Sequence, residues 1–360
     1  MKRPETYPIW KDGVPYPKQE EMRYPEGIHH ILAHDGRKDI LPFLHDLAIT
    51  VVGGRLYIAW YNSTNAEICG SSLIRGRWSD DRGETWSEPF TAVGEIGDAE
   101  EHFVPVNLFE ADGRLMATIT EMEGKNMTTV LDLFELDPDT GKGTFLSHIS
   151  EGFICNTAPV KMENGNWISP GWMPKKERTP AFPVALISRG DALEEPWKYA
   201  FLYDPLHPDA VSIRCAETAL QVSGSRVLAY VRNDEGPSYI FESADYGEHW
   251  KGPFLNPMSV GNSKIFAGTL SNGKKYLIYN EDRGYFQRTL LVIAVAEEGC
   301  DQYSRVYKVL EDECEEIGRG SIWFYPCAFE ADGCLYVACT LQEADDIRSA
   351  IVTKIPVKSL

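Results

Sequence analysis

The chain has 360 residues, 43% of them apolar, and 35 Lys and Arg against 54 Asp and Glu give it a formal net charge of −19 at pH 7. Such a field repels nucleic acid and anionic membrane surfaces, and the sequence has no basic run that would reverse it locally. No stretch approaches the roughly 20 uninterrupted apolar residues that span a bilayer. These properties exclude a nucleic-acid partner and a membrane-inserted protein.

The N-terminus and the cysteines suggest where the protein works and what it lacks. No apolar segment follows the two positive charges of residues 1–8, so we expect no secretory signal peptide and a cytoplasmic location. The eight cysteines are scattered, with no Cys-x-x-Cys pair and no His at metal-ligand spacing. We therefore expect buried free thiols, no catalytic metal and no cofactor.

A hairpin signal recurs six times along the chain. Each instance is a dipeptide that ends in Gly and lies between two β-rich segments, as in hairpin turns whose residues adopt positive φ. The second residues are Gly54, Gly113, Gly165, Gly224, Gly273 and Gly333, which lie 49 to 60 residues apart. A period of about 55 residues holds one four-stranded unit the size of a propeller blade. We predict an all-β fold, a six-bladed β-propeller of four-stranded antiparallel blades, with fewer than about a tenth of the residues helical.

The same repeat predicts the domain organisation. Six blades of this length fill residues 41–357, and we expect residues 1–40 to wrap around the outside. Residues 350–355 are rich in β-branched side chains and predict a closing strand. The whole chain, residues 1–360, is therefore predicted to be one propeller domain, with its oligomeric state left open.

Two further segments share one pattern. Residues 79–86 and 243–250 both read Ser-x-Asp-x-Gly-x-Thr-Trp, with His249 in place of Thr in the second. The Ser and Asp oxygens of such a segment accept backbone N–H bonds in a tight turn, Gly supplies positive φ, and Trp packs between sheets. Their distance from the turn glycines predicts hairpins between the third and fourth strands of a blade. We interpret both as turns and not as active sites.

These two segments are Asp boxes, and together with the six blade-length repeats they make the chain resemble the sialidase superfamily of six-bladed propellers with BNR repeats. The resemblance covers nearly the whole chain. It implies an exo-acting glycoside hydrolase in which three arginines bind the substrate carboxylate. It also implies a Tyr nucleophile paired with a Glu, and an Asp that acts as acid and base.

Four residues match the positions of that family's site. Glu217 and Arg232 lie one hairpin apart in blade four, like the family's Glu and second arginine, and Arg288 opens a strand of blade five like the third arginine. Tyr325 in blade six corresponds to the nucleophile. Because the first strands of successive blades line the central axis, we expect these side chains to converge in one funnel. The free phenol has a pKa near 10, so catalysis requires Glu217 as base and neighbouring arginine charge.

Blade one departs from the family pattern. Residues 43–46 read Phe-Leu-His-Asp where the first arginine is expected, with His45 at roughly its position. No carboxylate stands at the family's acid/base position, and Glu67 is the next acid along the chain. Histidine titrates near neutral pH and Asp46 offers a carboxylate, so His45 and Asp46 are both candidate catalytic residues. Arg75, in the third strand of blade one, is a further candidate for substrate binding.

Three functions from different classes remain open. The first is a sialidase-like hydrolase that removes a terminal acidic sugar, sialic acid or a relative, through Tyr325 and Glu217, with Arg232 and Arg288 on the carboxylate. The second is a uronate-directed lyase or hydrolase in which His45 and Tyr325 act as base and acid on a proton beside the carboxylate. The third is a non-catalytic carbohydrate-binding propeller. We rank the hydrolase first, with a small carbohydrate that bears a carboxylate as its expected partner.

Overall fold

The fold consists of six antiparallel sheets arranged as the blades of a propeller. They are seen in a computed structural model that describes all residues except 1–3, 65, 68–70, 98–100, 124–127, 174–181, 205–212, 285–286, 321 and 344–346. The chain is all-β with 3% helix, which confirms the predicted fold class. The helical segments of the described chain include 3-10 turns at Gln19–Glu21, Gly36–Lys38 and Val357–Ser359.

Each blade has four strands that follow one another from the axis outward. Blade one contains Phe43–Val52, Arg55–Ser63, Leu73–Ser79 and Phe90–Val93, and blade two contains Glu101–Ala111, Arg114–Glu123, Thr128–Leu136 and Gly143–Glu151. The inner strand of blade three is split into Ile154–Cys155 and Val160–Lys161, followed by Trp167–Met173, Phe182–Ile187 and Lys198–Phe201. Blade four contains Thr218–Ser223, Arg226–Val231, Tyr239–Ser243 and Lys251–Leu255, and blade five contains Phe266–Thr269, Lys275–Asn280, Leu290–Ala296 and Tyr303–Glu311. A two-stranded ribbon, Glu313–Cys314 with Arg319–Gly320, precedes blade six.

Blade six closes the ring by pairing the two ends of the chain. Its strands are Ile322–Ala331, Cys334–Gln342, Arg348–Pro356 and, outermost, the N-terminal strand His29–His34. The sequence interpretation is corrected here, because residues 350–355 lie in the third strand and the closing strand comes from the segment assigned to an outer wrap. That closing strand pairs with a segment more than 300 residues away, so no local pattern could reveal it.

The predicted turn glycines all lie between the first and second strands of a blade, with positive φ. These six hairpins therefore mark one end of the propeller. At the opposite end the chain enters each inner strand and passes from the second strand to the third. The residues of interest for function lie at this opposite end, which we call the funnel.

Both Asp boxes form turns between the third and fourth strands, as predicted. In the first, the Ser79 hydroxyl accepts the amide N–H of Gly83 at 2.7 Å, and the Asp81 carboxylate accepts that of Thr85 at 2.8 Å. The second box repeats both bonds at 2.9 Å. The two boxes therefore stabilise hairpins at the turn end of the propeller.

Apolar side chains between neighbouring blades form the core. Every residue of Leu290–Ala296 is buried, and so are five of the six residues of Arg226–Val231. Strands covered on both faces read as continuous apolar runs, because neither face meets water. Trp60 and Trp323 are fully buried and fill spaces between sheets. This packing holds the inner strands, and with them the funnel residues, in fixed positions.

The cysteines agree only in part with the expectation of buried thiols. Cys155, Cys314 and Cys339 are buried and free, whereas Cys300 is free and exposed. Cys69 lies outside the described residues. In the described part of the chain, no helix is long and apolar enough to cross a membrane.

Candidate active site

Bulges in two inner strands turn side chains into the funnel. Asp46 in blade one and Tyr325 in blade six have φ values of 56° and 48°, and the strand register shifts at both points. A bulge changes the direction of a side chain, and positive φ outside Gly costs about 1–3 kcal/mol per residue. Cys215, two residues before Glu217, is a third residue of this kind, with a φ of 63°. Three non-Gly residues with positive φ are therefore predicted site residues or lie within two positions of one.

Arg232 connects Glu217 and Tyr325 through a single nitrogen. Its Nη1 bonds to the carboxylate of Glu217 and lies 3.1 Å from the hydroxyl of Tyr325. Its Nε and Nη2 bind the carboxylate of Asp234 at 2.8 Å and 3.2 Å. The Arg232 side chain is only 4% exposed. The guanidinium therefore holds Glu217 and Tyr325 side by side, while Asp234 occupies its outer fork.

Two further arginines lie on one aromatic ring beside this group. The guanidinium carbons of Arg288 and Arg348 are 4.9 Å and 5.1 Å from the centre of the Phe324 ring. Arg348 also lies 4.0 Å from the ring of Phe43, and Arg288 donates to the backbone oxygen of Asn262 at 2.8 Å. Cation–π contacts fix the planes of both guanidinium groups. Blades five and six thus each contribute one buried arginine to the funnel.

His45 lies in the inner strand of blade one, next to Tyr325 of blade six. Its ring stacks on that of Tyr325, and its Nδ1 lies 3.2 Å from the Thr340 hydroxyl. Burial holds the pKa of His45 well below its ordinary value, and the charges of Arg348 and Arg288 lower it further. The imidazole is therefore neutral at physiological pH and can accept a proton but has none to donate from a cation.

Asp46 is bonded to the ammonium of Lys264, and both side chains are buried. Burial raises the pKa of Asp46 to about 6, although Lys264 opposes this. Burial also disfavours the Lys264 cation, but the charges of Asp46 and Glu217 outweigh it and raise its pKa. The pair is therefore charged at neutral pH.

Glu217 and Tyr325 are held in opposite protonation states. Burial disfavours the charged form of Glu217, but Arg232 and Lys264 outweigh it and hold the pKa of this carboxyl below its usual value. Burial raises the pKa of Tyr325 well above that of a free phenol, the charge of Glu217 adds to this, and Arg232 and Arg288 offset it only in part. An ionised carboxylate therefore lies beside a protonated phenol.

Glu67 lies on the loop after the second strand of blade one, close enough to the funnel for its carboxyl to interact electrostatically with Glu217, Arg288 and Arg348. Its side chain is exposed, yet its pKa is raised by burial and by the charge of Glu217, against the opposing charges of Arg348 and Arg288. Its protonated form thus persists to higher pH than that of an ordinary Glu.

Arg75 does not join this group. Its Nη1 binds the carboxylate of Asp39 at 2.8 Å and the side-chain oxygen of Asn62 at 3.2 Å. Asp39 also bonds to His34, and Arg75 lines a separate cavity of about 810 Å³ near Phe145. The structure thus corrects the prediction that Arg75 faces the substrate. Its guanidinium forms an ion pair with Asp39, which lies in the segment before blade one and outside the repeated strands.

Sequence reasoning missed Arg348 and Lys264, although the repeat carries a signal for both. Arg348 opens the third strand of blade six, and Arg288 stands just before the third strand of blade five. Lys264 likewise stands just before the inner strand of blade five, as Glu217 does in blade four. Aligning the blades strand by strand would therefore have indicated both residues.

Within the described chain, no group of three or more His, Cys, Asp and Glu side chains is arranged to hold a metal ion. The polar groups of the funnel are instead paired cations and carboxylates with one phenol and one imidazole. Such a set can bind an anion, transfer protons and supply a nucleophile. The expectation of chemistry without a metal stays a prediction.

Several solved structures are similar in fold to this chain. The Trypanosoma rangeli sialidase in complex with sialic acid is similar, with a TM-score of 0.71 and 14% identity over 93% of this chain and 60% of that chain. A variant of the NanB sialidase from Streptococcus pneumoniae has a TM-score of 0.65 and 12% identity over 96% of this chain and 72% of that chain. A protein of unknown function from Dyadobacter fermentans has a TM-score of 0.70 and 14% identity, over 91% of this chain and 99% of that chain.

At these identities the likeness shows the fold alone, and the chain spans about 60% of the length of the Trypanosoma rangeli sialidase. No curated protein matches the sequence. The BNR repeat-like domain family does match, over residues 148–337, which is more than half of the 360 residues. The chain therefore belongs to the BNR repeat-like domain family, as a sialidase-like six-bladed propeller.

Proposed function

We propose that the protein is an exo-acting glycoside hydrolase that removes a terminal acidic sugar, sialic acid or a relative, from an oligosaccharide or glycoconjugate. The observation that carries this proposal is the joint binding of Glu217 and Tyr325 by one nitrogen of Arg232, beside two buried arginines. An anomeric carbon that bears a carboxylate repels a carboxylate nucleophile, whereas a phenol meets no like charge. Most glycosidases use a pair of carboxylates, and sialidases are an exception that uses a Tyr nucleophile. The similar Trypanosoma rangeli sialidase binds sialic acid, which supports an acidic sugar as ligand.

Tyr325 is the proposed nucleophile. Its oxygen forms a bond to the anomeric carbon as the glycosidic bond breaks, and its proton passes to the ionised carboxylate of Glu217. Because the pKa of Tyr325 is raised, the phenol needs both that base and the positive charge of Arg232, 3.1 Å from its oxygen, as negative charge develops. Water then attacks the glycosyl-enzyme intermediate, and the phenol is regenerated with the proton from Glu217.

Arg288 and Arg348 are the proposed carboxylate clamp. Both guanidinium groups lie on the Phe324 ring at the funnel, and each offers a planar fork that matches a carboxylate. Arg232 contributes its charge, while its outer fork binds Asp234. In this arrangement blade six supplies the arginine that blade one lacks.

Glu67 is the proposed proton donor to the leaving oxygen. Its raised pKa keeps part of the carboxyl protonated at a pH where an ordinary Glu is ionised, and its side chain is exposed to solvent. Asp46, the alternative carboxyl, is buried and bonded to Lys264. In the second step Glu67 acts as base toward water.

A uronate-directed lyase is the second candidate, and one observation favours it. His45 is held neutral and stacks on Tyr325. A neutral imidazole can accept the proton beside a uronate carboxylate while the protonated phenol of Tyr325 delivers one to the leaving oxygen. The same two arginines would neutralise the carboxylate.

One experiment separates these functions. The purified protein is incubated with an aryl sialoside, an aryl glucuronide and a uronate-ended oligosaccharide, and the release of aryl alcohol and the absorbance of an unsaturated uronate are followed. Aryl release from the sialoside that disappears in Tyr325→Phe supports the hydrolase. Unsaturated product that disappears in His45→Ala supports the lyase. Binding without turnover of any substrate contradicts both and supports a carbohydrate-binding propeller.

A further inference from the structure

Three side chains from three blades form a layer across the central channel. Asp46 of blade one bonds to Lys264 of blade five, and the Lys264 ammonium lies 5.5 Å from the centre of the Tyr325 ring in blade six. Blade six lies between blades one and five, so this ion pair joins the two neighbours of the blade that carries the phenol. We call Asp46, Lys264 and Tyr325 the floor layer.

The floor layer separates two spaces. On its turn side lies a cavity of about 490 Å³, whose lining includes Ala48, Phe266 and Cys327. Ala48, Phe266 and Cys327 each lie two residues after a member of the floor layer, along the inner strand of the same blade or the segment that leads into it. The funnel, with the predicted site residues, lies on the other side. Tyr325 therefore rests on a buried ion pair at the bottom of the funnel.

We propose that Lys264 is a positioning residue for the reaction at Tyr325: tied to Asp46 across the channel, its ammonium supports the phenol ring and places a positive charge beside the Glu217 carboxylate. This inference rests on the proposed function, since it gives Tyr325 and Glu217 their roles there. Lys264 is 3% exposed and acts through these two residues, without touching substrate.

Several charged or titratable groups besides Lys264 face Glu217, and they bear on any test by titration. They come from blades one, four, five and six and comprise Asp46, Glu67, Cys215, Arg232, Arg288 and Tyr325. A useful variant must therefore change one charge while leaving the rest in place. The ion pair allows this, because its two members have opposite signs and nearly isosteric neutral replacements.

Lys264→Met and Asp46→Asn both remove the same ion pair, but they change the charge near Glu217 in opposite directions. The Lys264 cation favours the ionised carboxylate of Glu217, and the Asp46 anion disfavours it. We expect the pKa of Glu217 to rise in Lys264→Met and to fall in Asp46→Asn, relative to the unchanged protein. If the ion pair has only a structural role, the pKa of Glu217 should shift in the same direction in both variants, or not at all.

The measurement is a carboxyl-carbon NMR titration of protein labelled with ¹³C-glutamate, in which the Glu217 resonance is assigned by its absence in Glu217→Gln. This readout uses no substrate, so it tests the inference even if no sialoside is cleaved and the proposed function fails. Shifts of opposite sign support the electrostatic role, and shifts of the same sign or no shift overturn it. If Lys264→Met does not fold, a fall in Asp46→Asn supports it and no fall overturns it.

If the protein cleaves the aryl sialoside, steady-state kinetics give a second test of the role of Lys264. Lys264→Met should lower kcat about tenfold with little change in KM, because the misplaced phenol and not substrate binding is affected. The acid limb of the pH profile should move to higher pH. Lys264→Arg retains the charge and should restore kcat to within about threefold of the unchanged protein. A loss in Lys264→Arg equal to that in Lys264→Met would overturn the positioning role.

Discussion

The imidazole of His45 stacks on the phenol of Tyr325, with ring centres 4.5 Å apart and planes inclined by 28°. The contact joins blade one to blade six and fixes the ring of the proposed nucleophile from one side. Because the pKa of His45 is far below its ordinary value, the stack adds no positive charge. An arginine at this position would have added one. Arg348 of blade six, whose guanidinium lies near the Phe324 ring, adds its positive charge to those of Arg232 and Arg288, so we expect the proposed anion site to be displaced by one blade.

Removing the Tyr325 hydroxyl should abolish most of the hydrolysis. Tyr325→Phe keeps the aromatic stack with His45 and deletes only the nucleophilic oxygen, so we expect kcat on an aryl sialoside to fall on the order of a hundredfold or more. Thermal melting followed by circular dichroism should show a folded protein. The matched control is Tyr57→Phe, which deletes a hydroxyl bonded to the Pro138 carbonyl outside the funnel.

The control should leave kcat and KM unchanged. If Tyr325→Phe retains full activity while His45→Ala abolishes it, the mechanism with a Tyr nucleophile is wrong. The chemistry would then belong to the blade-one residue that departs from the family pattern, as in the lyase.

Arg288→Ala and Arg348→Ala should mainly weaken substrate binding. Both are proposed to contact a carboxylate that is present in the ground state and the transition state alike, so KM should rise on the order of tenfold or more with a smaller change in kcat. Arg75→Ala is the control, since Arg75 pairs with Asp39 away from the funnel. It should lower the melting temperature and leave KM unchanged. A rise of KM in Arg75→Ala but not in Arg348→Ala would reverse the assignment.

The Asp boxes should affect stability without affecting catalysis. Ser243 is buried, and its hydroxyl accepts the amide N–H groups of Gly247 and Asp245 at 2.9 Å and 3.3 Å. Ser243→Ala leaves those donors without this acceptor, which costs about 1–3 kcal/mol of the free energy of unfolding. Urea unfolding measures the loss, and Ser79→Ala in the other box should cost a similar amount. A change in kcat/KM of the folded variants would contradict a purely structural role.

The fold could be predicted because its signals are local. A Gly-ending dipeptide defines each inner hairpin, and a Ser and an Asp within one Asp box bond to the next turn of chain. The closing strand His29–His34 could not be predicted in this way, because it is specified by pairing with Arg348–Pro356 at the other end of the chain. Its sequence, three His among apolar residues, has no strict alternation.

The site was predicted where the repeat alone decides position. Glu217, Arg232 and Arg288 stand beside strand ends and Tyr325 at a bulge of an inner strand, and the structure places their side chains together. Arg75 also lies in a strand that the repeat predicts, but its guanidinium binds Asp39, which belongs to the segment before blade one. Such an ion pair depends on a loop whose path the sequence does not give.

The activity should depend on pH through Glu217 and Glu67. Ionisation of Glu217 should raise the activity, whereas ionisation of Glu67 should lower it. Glu217 acts as a base, and because its pKa is lowered, the rising limb of kcat/KM should lie below the ordinary Glu pKa of about 4.3. Glu67 acts as an acid, and because its pKa is raised, the falling limb should lie above that value. We therefore expect a bell-shaped profile with an acidic optimum, measured on the sialoside at constant ionic strength.

Glu67→Gln tests the falling limb directly. Without its carboxyl, the variant should lose the falling limb and on the order of a hundredfold in kcat on a sialoside with an alkyl leaving group, which needs protonation. A nitrophenyl leaving group departs without a proton, so the loss on that substrate should be much smaller. Asp46→Asn should retain the falling limb, because Asp46 is bonded to Lys264 in the floor layer. If Asp46→Asn removes the falling limb and Glu67→Gln does not, Asp46 is the proton donor, and Glu67 has no part in the chemistry.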